Sequence, residues 1–277
     1  MQKWRKELGK LCILLADRQY LQDCFSKLSS NSTAFHLLKG AFFILEQKED
    51  KALEQYSKVL EVEPNNHLAL VRSAICLLIT GDEKKAQKRY NSLEKQSNLT
   101  FEVKLGMSDY WRVKGNYQKA EKILLLALKE NDHDFLLKQR LIELYMQKGE
   151  FKRALQELNK IQSESFKSLF LKKAKVQCLL KLGKVKEAEK VFQGMEGTEG
   201  DADIMLLKGQ LALLMDKTSQ AVGIFEAALD IMPRKSSLPL YLKGLALLKG
   251  GNIHLAEKSF IKALALEPAF TKAELAL

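Results

Sequence analysis

Four histidines and four cysteines have the widest chemical repertoire in this chain, and their spacing decides how much of it is usable. His36, His67, His133 and His254 are far apart, with no HxxxH or HExxH arrangement, so no helix presents two imidazoles to one metal. Each is expected at the surface or in a loop. Cys12, Cys24, Cys76 and Cys178 form no CxxC pair and have no histidine nearby, which excludes zinc-site and disulfide-framework spacing. Nucleophile–base spacing of the Ser-His-Asp or Cys-His kind is absent too. Gly250-Gly251 falls in a turn and follows no strand, so it is a weak anion-site candidate. These residues imply no enzyme, no cofactor, no metal and no small-molecule substrate.

The elements that could position any other site are helical. The 277 residues are 46% hydrophobic and 29% charged with only four prolines, a globular composition that leans toward helix. Net charge is +11, which raises an anionic partner as an option. The simpler account is a lysine-rich solvated surface on the outer faces of many helices. Basic residues Lys3, Arg5, Lys6 and Lys10 precede only a short apolar run, Leu11–Ala16, too short for a signal segment. No run approaches the ~18 apolar residues of a membrane span. The chain as given is therefore expected to be soluble, cytoplasmic by default, with no membrane insertion.

A period organises the sequence. Ala52, Ala86, Ala120, Ala154, Ala188, Ala221 and Ala256 recur at intervals of 34, 34, 34, 34, 33 and 35 residues. Counting each unit so that this alanine is position 20, position 24 is Tyr56, Tyr90, Leu124, Leu158, Phe192, Phe225 and Phe260. Position 27 is Val59, Leu93, Ala127, Ile161, Met195, Ala228 and Ala263. These positions are i, i+4 and i+7, one stripe of an amphipathic second helix, and the single methyl at position 20 permits close helix approach. Before position 1 stands a good N-cap in every unit: Ser32, Asn66, Thr100, Asp134, Ser168, Asp201 or Ser236. Position 15 is glycine in five units (Gly81, Gly115, Gly149, Gly183, Gly251), as a left-handed helix end requires. Cys76 and Cys178 share the apolar position 10, so both are expected as buried thiols. Glycines 194, 197 and 200 in Phe192–Asp203 should end the fifth unit's second helix early, in a long loop or a hinge.

These motifs resemble the tetratricopeptide repeat. Gly209, Ala221, Phe225, Ala228 and Pro233, then Gly244, Ala256, Phe260, Ala263 and Pro268, occupy that family's small, aromatic and proline positions, and Gly40, Ala52, Tyr56 and Pro64 do so near the start. The resemblance implies an all-α fold, a right-handed superhelix of antiparallel helix pairs. Seven units are expected, over 33–66, 67–100, 101–134, 135–168, 169–201, 202–236 and 237–270. Residues 1–32 would form a degenerate helical hairpin that caps the array, and residues 271–277 the start of a further helix. That last segment suggests a piece of a longer protein. Lys104, Lys138 and Lys172 depart from the family at position 4, usually large and apolar, so the middle units are expected to pack more loosely.

On the first helix of each unit, positions 3, 7, 10 and 11 cluster on one side and 2, 5, 9, 12 and 13 on the other. The first set should pack inside, and the second should line a concave groove, as the resemblance also implies. The candidate groove residues are Leu37, Ile44, Val71, Ile75, Asp109, Arg112, Gln139, Glu143, Lys173, Gln177, Gln210, Leu213, Tyr241 and Leu245: apolar at both ends, polar in the middle. A protein or peptide partner is the expected occupant, as an amphipathic helix or an extended segment. Family modules that grip a C-terminal carboxylate carry Lys at position 5 and Asn at 9, then Asn at 6 in the next unit. Lys173, Gln177 and Leu207 depart from that pattern. The repeats are also similar to arrays in bacterial envelope assembly, secretion and polysaccharide export. Single-stranded RNA is the alternative occupant. Charge favours it, but the groove has few arginines or aromatics, and the lysines lie mainly on second helices (Lys84, Lys85, Lys88, Lys119, Lys122).

Overall fold

The computed structural model describes residues 28–94, 96, 99–131, 134–161, 169–195, 200–232 and 236–276. Among them are fifteen α-helices and no strand: α1 (Thr33–Leu45), α2 (Glu49–Val62), α3 (His67–Ile79), α4 (Glu83–Glu94), α5 (Phe101–Val113), α6 (Tyr117–Glu130), α7 (Phe135–Gln147), α8 (Phe151–Lys160), α9 (Leu169–Lys181), α10 (Val185–Gln193), α11 (Ala202–Leu214), α12 (Thr218–Ile231), α13 (Ser237–Lys249), α14 (Ile253–Leu266) and α15 (Thr271–Glu274). Odd helices α1–α13 are the first helices of seven repeats and even helices α2–α14 the second. The hairpin expected over residues 1–32 lies almost wholly outside the described residues, as do Ser168, His133, Gly197 and Pro233.

The chain divides into two compact units between Lys148 and Gly149, in the turn from α7 to α8 and not at the glycine-rich Phe192–Asp203. In the first, α1 packs on α2, α3 on α4 and α5 on α6; α2 against α3, α3 against α5, and α6 against α7 join the pairs. In the second, α9 packs on α10, α11 on α12 and α13 on α14, with α8 against α9, α9 against α11 and α12 against α13.

Each turn is closed by one geometry. Glycines 81, 115, 149, 183 and 251 have φ between +70° and +91°. In six of the turns the position 16 N–H donates to the position 11 carbonyl at 2.8–2.9 Å, as in Asp82 to Leu77 and Asn252 to Leu247. That left-handed residue and its bond form a Schellman-type end. Gln47 and Asp216 take the same place without being glycine, at φ +55° and +62°.

The repeat stripe is the core. All seven position 20 alanines and all seven position 27 residues are buried, although Ile161 and Met195 lie just beyond the ends of the short helices α8 and α10. Gly40, Gly209 and Gly244 at position 8 receive the ring at position 24: a Cβ added to Gly244 would stand 2.4 Å from Phe260 Cε1. Where Val176 fills position 8, Phe192 is the one position 24 residue left half-buried. Position 8 is buried in all seven first helices, and positions 3, 10 and 11 in all but α1. Position 7 is buried only as Ser73, Met107 and Leu141; the other four helices carry lysine there (Lys39, Lys175, Lys208 and Lys243), and Lys243 pairs with Glu226 at 2.7 Å.

Four of the six described caps act through their side chains: Ser32, Asn66, Asp134 and Asp201 accept first-turn N–H groups at 2.9–3.2 Å. Thr100 and Ser236 make no such bond. Two position 4 lysines find C-terminal partners: Lys172 donates to the Gly194 carbonyl at 2.6 Å, and Lys104 pairs with Glu130. Ala273, third residue of an eighth frame, is buried with Leu247, Ala256, Phe260 and Ala263.

Candidate functional site

In the first unit, the face of α1, α3, α5 and α7 turned away from the second helices combines an apolar ridge with an ionic end. The ridge is position 13 of three successive helices, Leu45, Ile79 and Val113, which are 36%, 49% and 41% exposed. Leu37, Ile44 and Leu78 are half-buried, and Leu37 and Ile44 pack against the core of Ala52, Tyr56 and Cys76. Exposed apolar side chains that recur at one register are of the sort that marks interaction surfaces.

Two residues expected to line this face do not. Val71 is fully buried and Ile75 nearly so. The reason is the next helix: Gly106 on α5 carries no side chain, and Val71 Cγ1 lies 2.7 Å from where its Cβ would be. Position 5 of α3 therefore belongs to the packing between α3 and α5.

At the other end the polar candidates do come together, with their charge balanced internally. Asp109 is only 6% exposed. Its Oδ1 accepts from Arg112 Nε at 3.3 Å, lies 3.2 Å from Arg112 Nη2, and is approached by Arg140 Nε at 3.5 Å. Arg140 Nη1 donates to Glu143 Oε2 at 2.6 Å, and Gln139 Nε2 to Glu143 Oε1 at 3.1 Å. A buried carboxylate is costly unless paired, and here two guanidinium groups pair it. Burial works against charge on Arg140, but Asp109 and Glu143 outweigh it and hold the guanidinium above its ordinary range. Arg140 is missing from the sequence frame because position 6 lies outside the groove set. Its spacing to Glu143, i to i+3, was the available signal. Position 6 is thus Gly106 at one junction, admitting Val71, and Arg140 at the next, reaching Asp109.

The second unit is less continuous. Lys173 Nζ is held by Asp201 at 3.1 Å and Asp203 at 3.3 Å, at the start of α11, so its charge is already satisfied. Gln177 is exposed; Gln210, Leu213, Tyr241 and Leu245 are half-buried. Leu213, Tyr241 and Leu245 also pack against the core, and the Tyr241 ring lies 5.9 Å from Phe260 and 5.4 Å, edge-on, from Phe270. Position 13 is Lys181, Leu214 and Lys249, and the exposed leucines of these helices, Leu214, Leu238 and Leu248, share no single register.

Burial pushes the Cys76 and Cys178 thiols up to about 12. His36 Nδ1 lies 2.9 Å from Gln55 Oε1. Among the described residues no group of His, Cys, Asp or Glu could hold a metal, and no helix is long and apolar enough to cross a membrane.

Comparison with known proteins follows the repeats. Residues 113–195 match the family described as anaphase-promoting complex, cyclosome, subunit 3, and residues 239–270 match the tetratricopeptide repeat. No curated protein sequence matches the chain. Among solved structures, a tetratricopeptide repeat protein from Parabacteroides merdae is similar over 87% of this chain and 96% of its own, at 18% identity and TM-score 0.65. The APC/C hetero-tetramer Cut9–Hcn1 is similar over 92% of this chain at 15% identity and TM-score 0.65, and the likeness spans half of that chain. A human IFIT1 dimer with PPP-AAAA is similar over 91% of this chain and 69% of its own, at 16% identity and TM-score 0.66.

Proposed function

Because the chain is a protein of the tetratricopeptide-repeat superfamily with an all-α array of helix pairs, we propose that it is an interaction scaffold holding a peptide or protein partner on the inner face of its first helices. The observation that supports this most is the ridge Leu45, Ile79 and Val113, exposed apolar side chains at one register of three successive helices. Catalysis forms no part of the proposal.

The test replaces exposed residues only. Ile75 is unsuitable, since a charge there would enter the core. Immobilised chain carrying Ile79→Glu and Val113→Glu is compared, by cross-linking and quantitative mass spectrometry, with wild type and with Leu126→Glu, an exposed change on α6. Partners held by wild type and by Leu126→Glu should be lost from the inner-face variant. Equal recovery on all three proteins would sink the proposal.

Single-stranded RNA is the second reading. Net charge +11 and the fold likeness to IFIT1 solved with PPP-AAAA favour it. Against it, Arg112 and Arg140 on the inner face are neutralised in place, and exposed lysines such as Lys84 and Lys88 lie on a second helix. Steeply salt-dependent binding of RNA abolished by inner-face substitutions would select it instead.

A further inference from the structure

The charged end of the first unit's inner face has an arrangement the scaffold reading alone does not require. Arg112 and Arg140 converge from two helices on one point, the geometry in which a partner's carboxylate or phosphate would ordinarily be gripped. That point is already occupied by Oδ1 of Asp109, a residue of the same face. Glu143 takes a further arginine nitrogen, so two positive and two negative charges close on one another. Next to this neutral cluster runs the exposed ridge of Leu45, Ile79 and Val113.

We infer that Asp109 is a specificity-determining residue: it fills the Arg112–Arg140 fork from within, so the face accepts a protein segment with an uncharged, apolar contact side and refuses anionic partners. The inference rests on the reading of this face as a partner surface and adds the partner's chemistry. Charge complementarity decides against an anion, because an incoming carboxylate must displace a buried one that already has its bonds.

The probes are two fluorescent synthetic helices with leucine at heptad positions, flanked by glutamine in one and glutamate in the other, and a ten-nucleotide oligo(A) RNA. Binding to the full chain is read by anisotropy. Wild type should bind the glutamine helix independently of salt, and Ile79→Glu should weaken it at least tenfold. Asp109→Asn should tighten the glutamate helix at least tenfold at low salt, and adding Arg112→Gln and Arg140→Gln should remove that gain. Circular dichroism checks that each variant is folded; the salt independence of wild-type binding needs no variant. Tighter wild-type binding of the glutamate helix or of oligo(A), lost in Arg112→Gln/Arg140→Gln, overturns the selectivity and leaves the surface standing. So does a folded Asp109→Asn protein with no gain. Glutamine-helix binding that is absent, or indifferent to Ile79→Glu, overturns the surface itself.

Discussion

The glycines of positions 8 and 15 act for opposite reasons, and substitution separates them. Gly244 sits under Phe260, a fully buried ring, with no room for a methyl. Alanine there gains about 1 kcal/mol of helix propensity, but overpacking a rigid core costs about 1–3 kcal/mol. Gly244→Ala should therefore lower the urea midpoint; an unchanged or raised midpoint contradicts the contact. Gln47 is the reverse case, a side chain held at φ +55°. A left-handed non-glycine residue costs roughly 1–2 kcal/mol, and glycine's extra unfolded-state freedom returns about 0.5–1 kcal/mol of that. Gln47→Gly should thus stabilise the protein by about 0.5–1 kcal/mol in the same denaturation series. The alanines and rings of positions 20 and 24 were legible from their period alone. That Phe192 is only half-buried was not, because burial is set by neighbouring elements and not by the period.

Among the helices, equivalent caps are not equal. Asp134 accepts the Leu137 N–H at 3.0 Å, so Asp134→Ala should cost about 1 kcal/mol. Thr100 and Ser236 stand at the same register without a side-chain bond, and their alanine variants should cost much less. Chemical denaturation of the three variants decides it: a Thr100→Ala loss as large as that of Asp134→Ala would contradict the geometry. Helix boundaries were readable from caps and glycines, down to the early end of α10 before Gly194. The fate of position 4 was not readable. Lysine at an apolar position suggested loose packing, whereas Lys172 and Lys104 turn their ammonium groups to the C-terminal ends of second helices.

For the whole molecule, the two buried thiols report separately on the two compact units, Cys76 on the first and Cys178 on the second. A thiol pushed up to about 12 by burial holds about one thiolate in ten thousand at pH 8, and the thiolate is the reactive form. In a Cys12→Ser/Cys24→Ser background, neither thiol should react with a disulfide reagent at pH 8 until its own unit opens. With urea, site-resolved labelling should follow two transitions if the units open independently, or one if the repeats are fully coupled. Rapid labelling of either cysteine without denaturant contradicts its burial.

Sequence by itself determined the all-α class, the seven repeats, the turns and the core stripe, because each depends on spacing within about thirty-four residues of chain. It also placed Asp109, Arg112, Gln139 and Glu143 on one face. Only the tertiary structure decided which face residues remain open, because that depends on what the neighbouring helix carries. Gly106 draws Val71 into the core, whereas Arg140, at the same register one repeat later, reaches back to Asp109 and closes the charge. The face is therefore an apolar ridge ending in a neutralised ion cluster, and its chemistry was settled between helices.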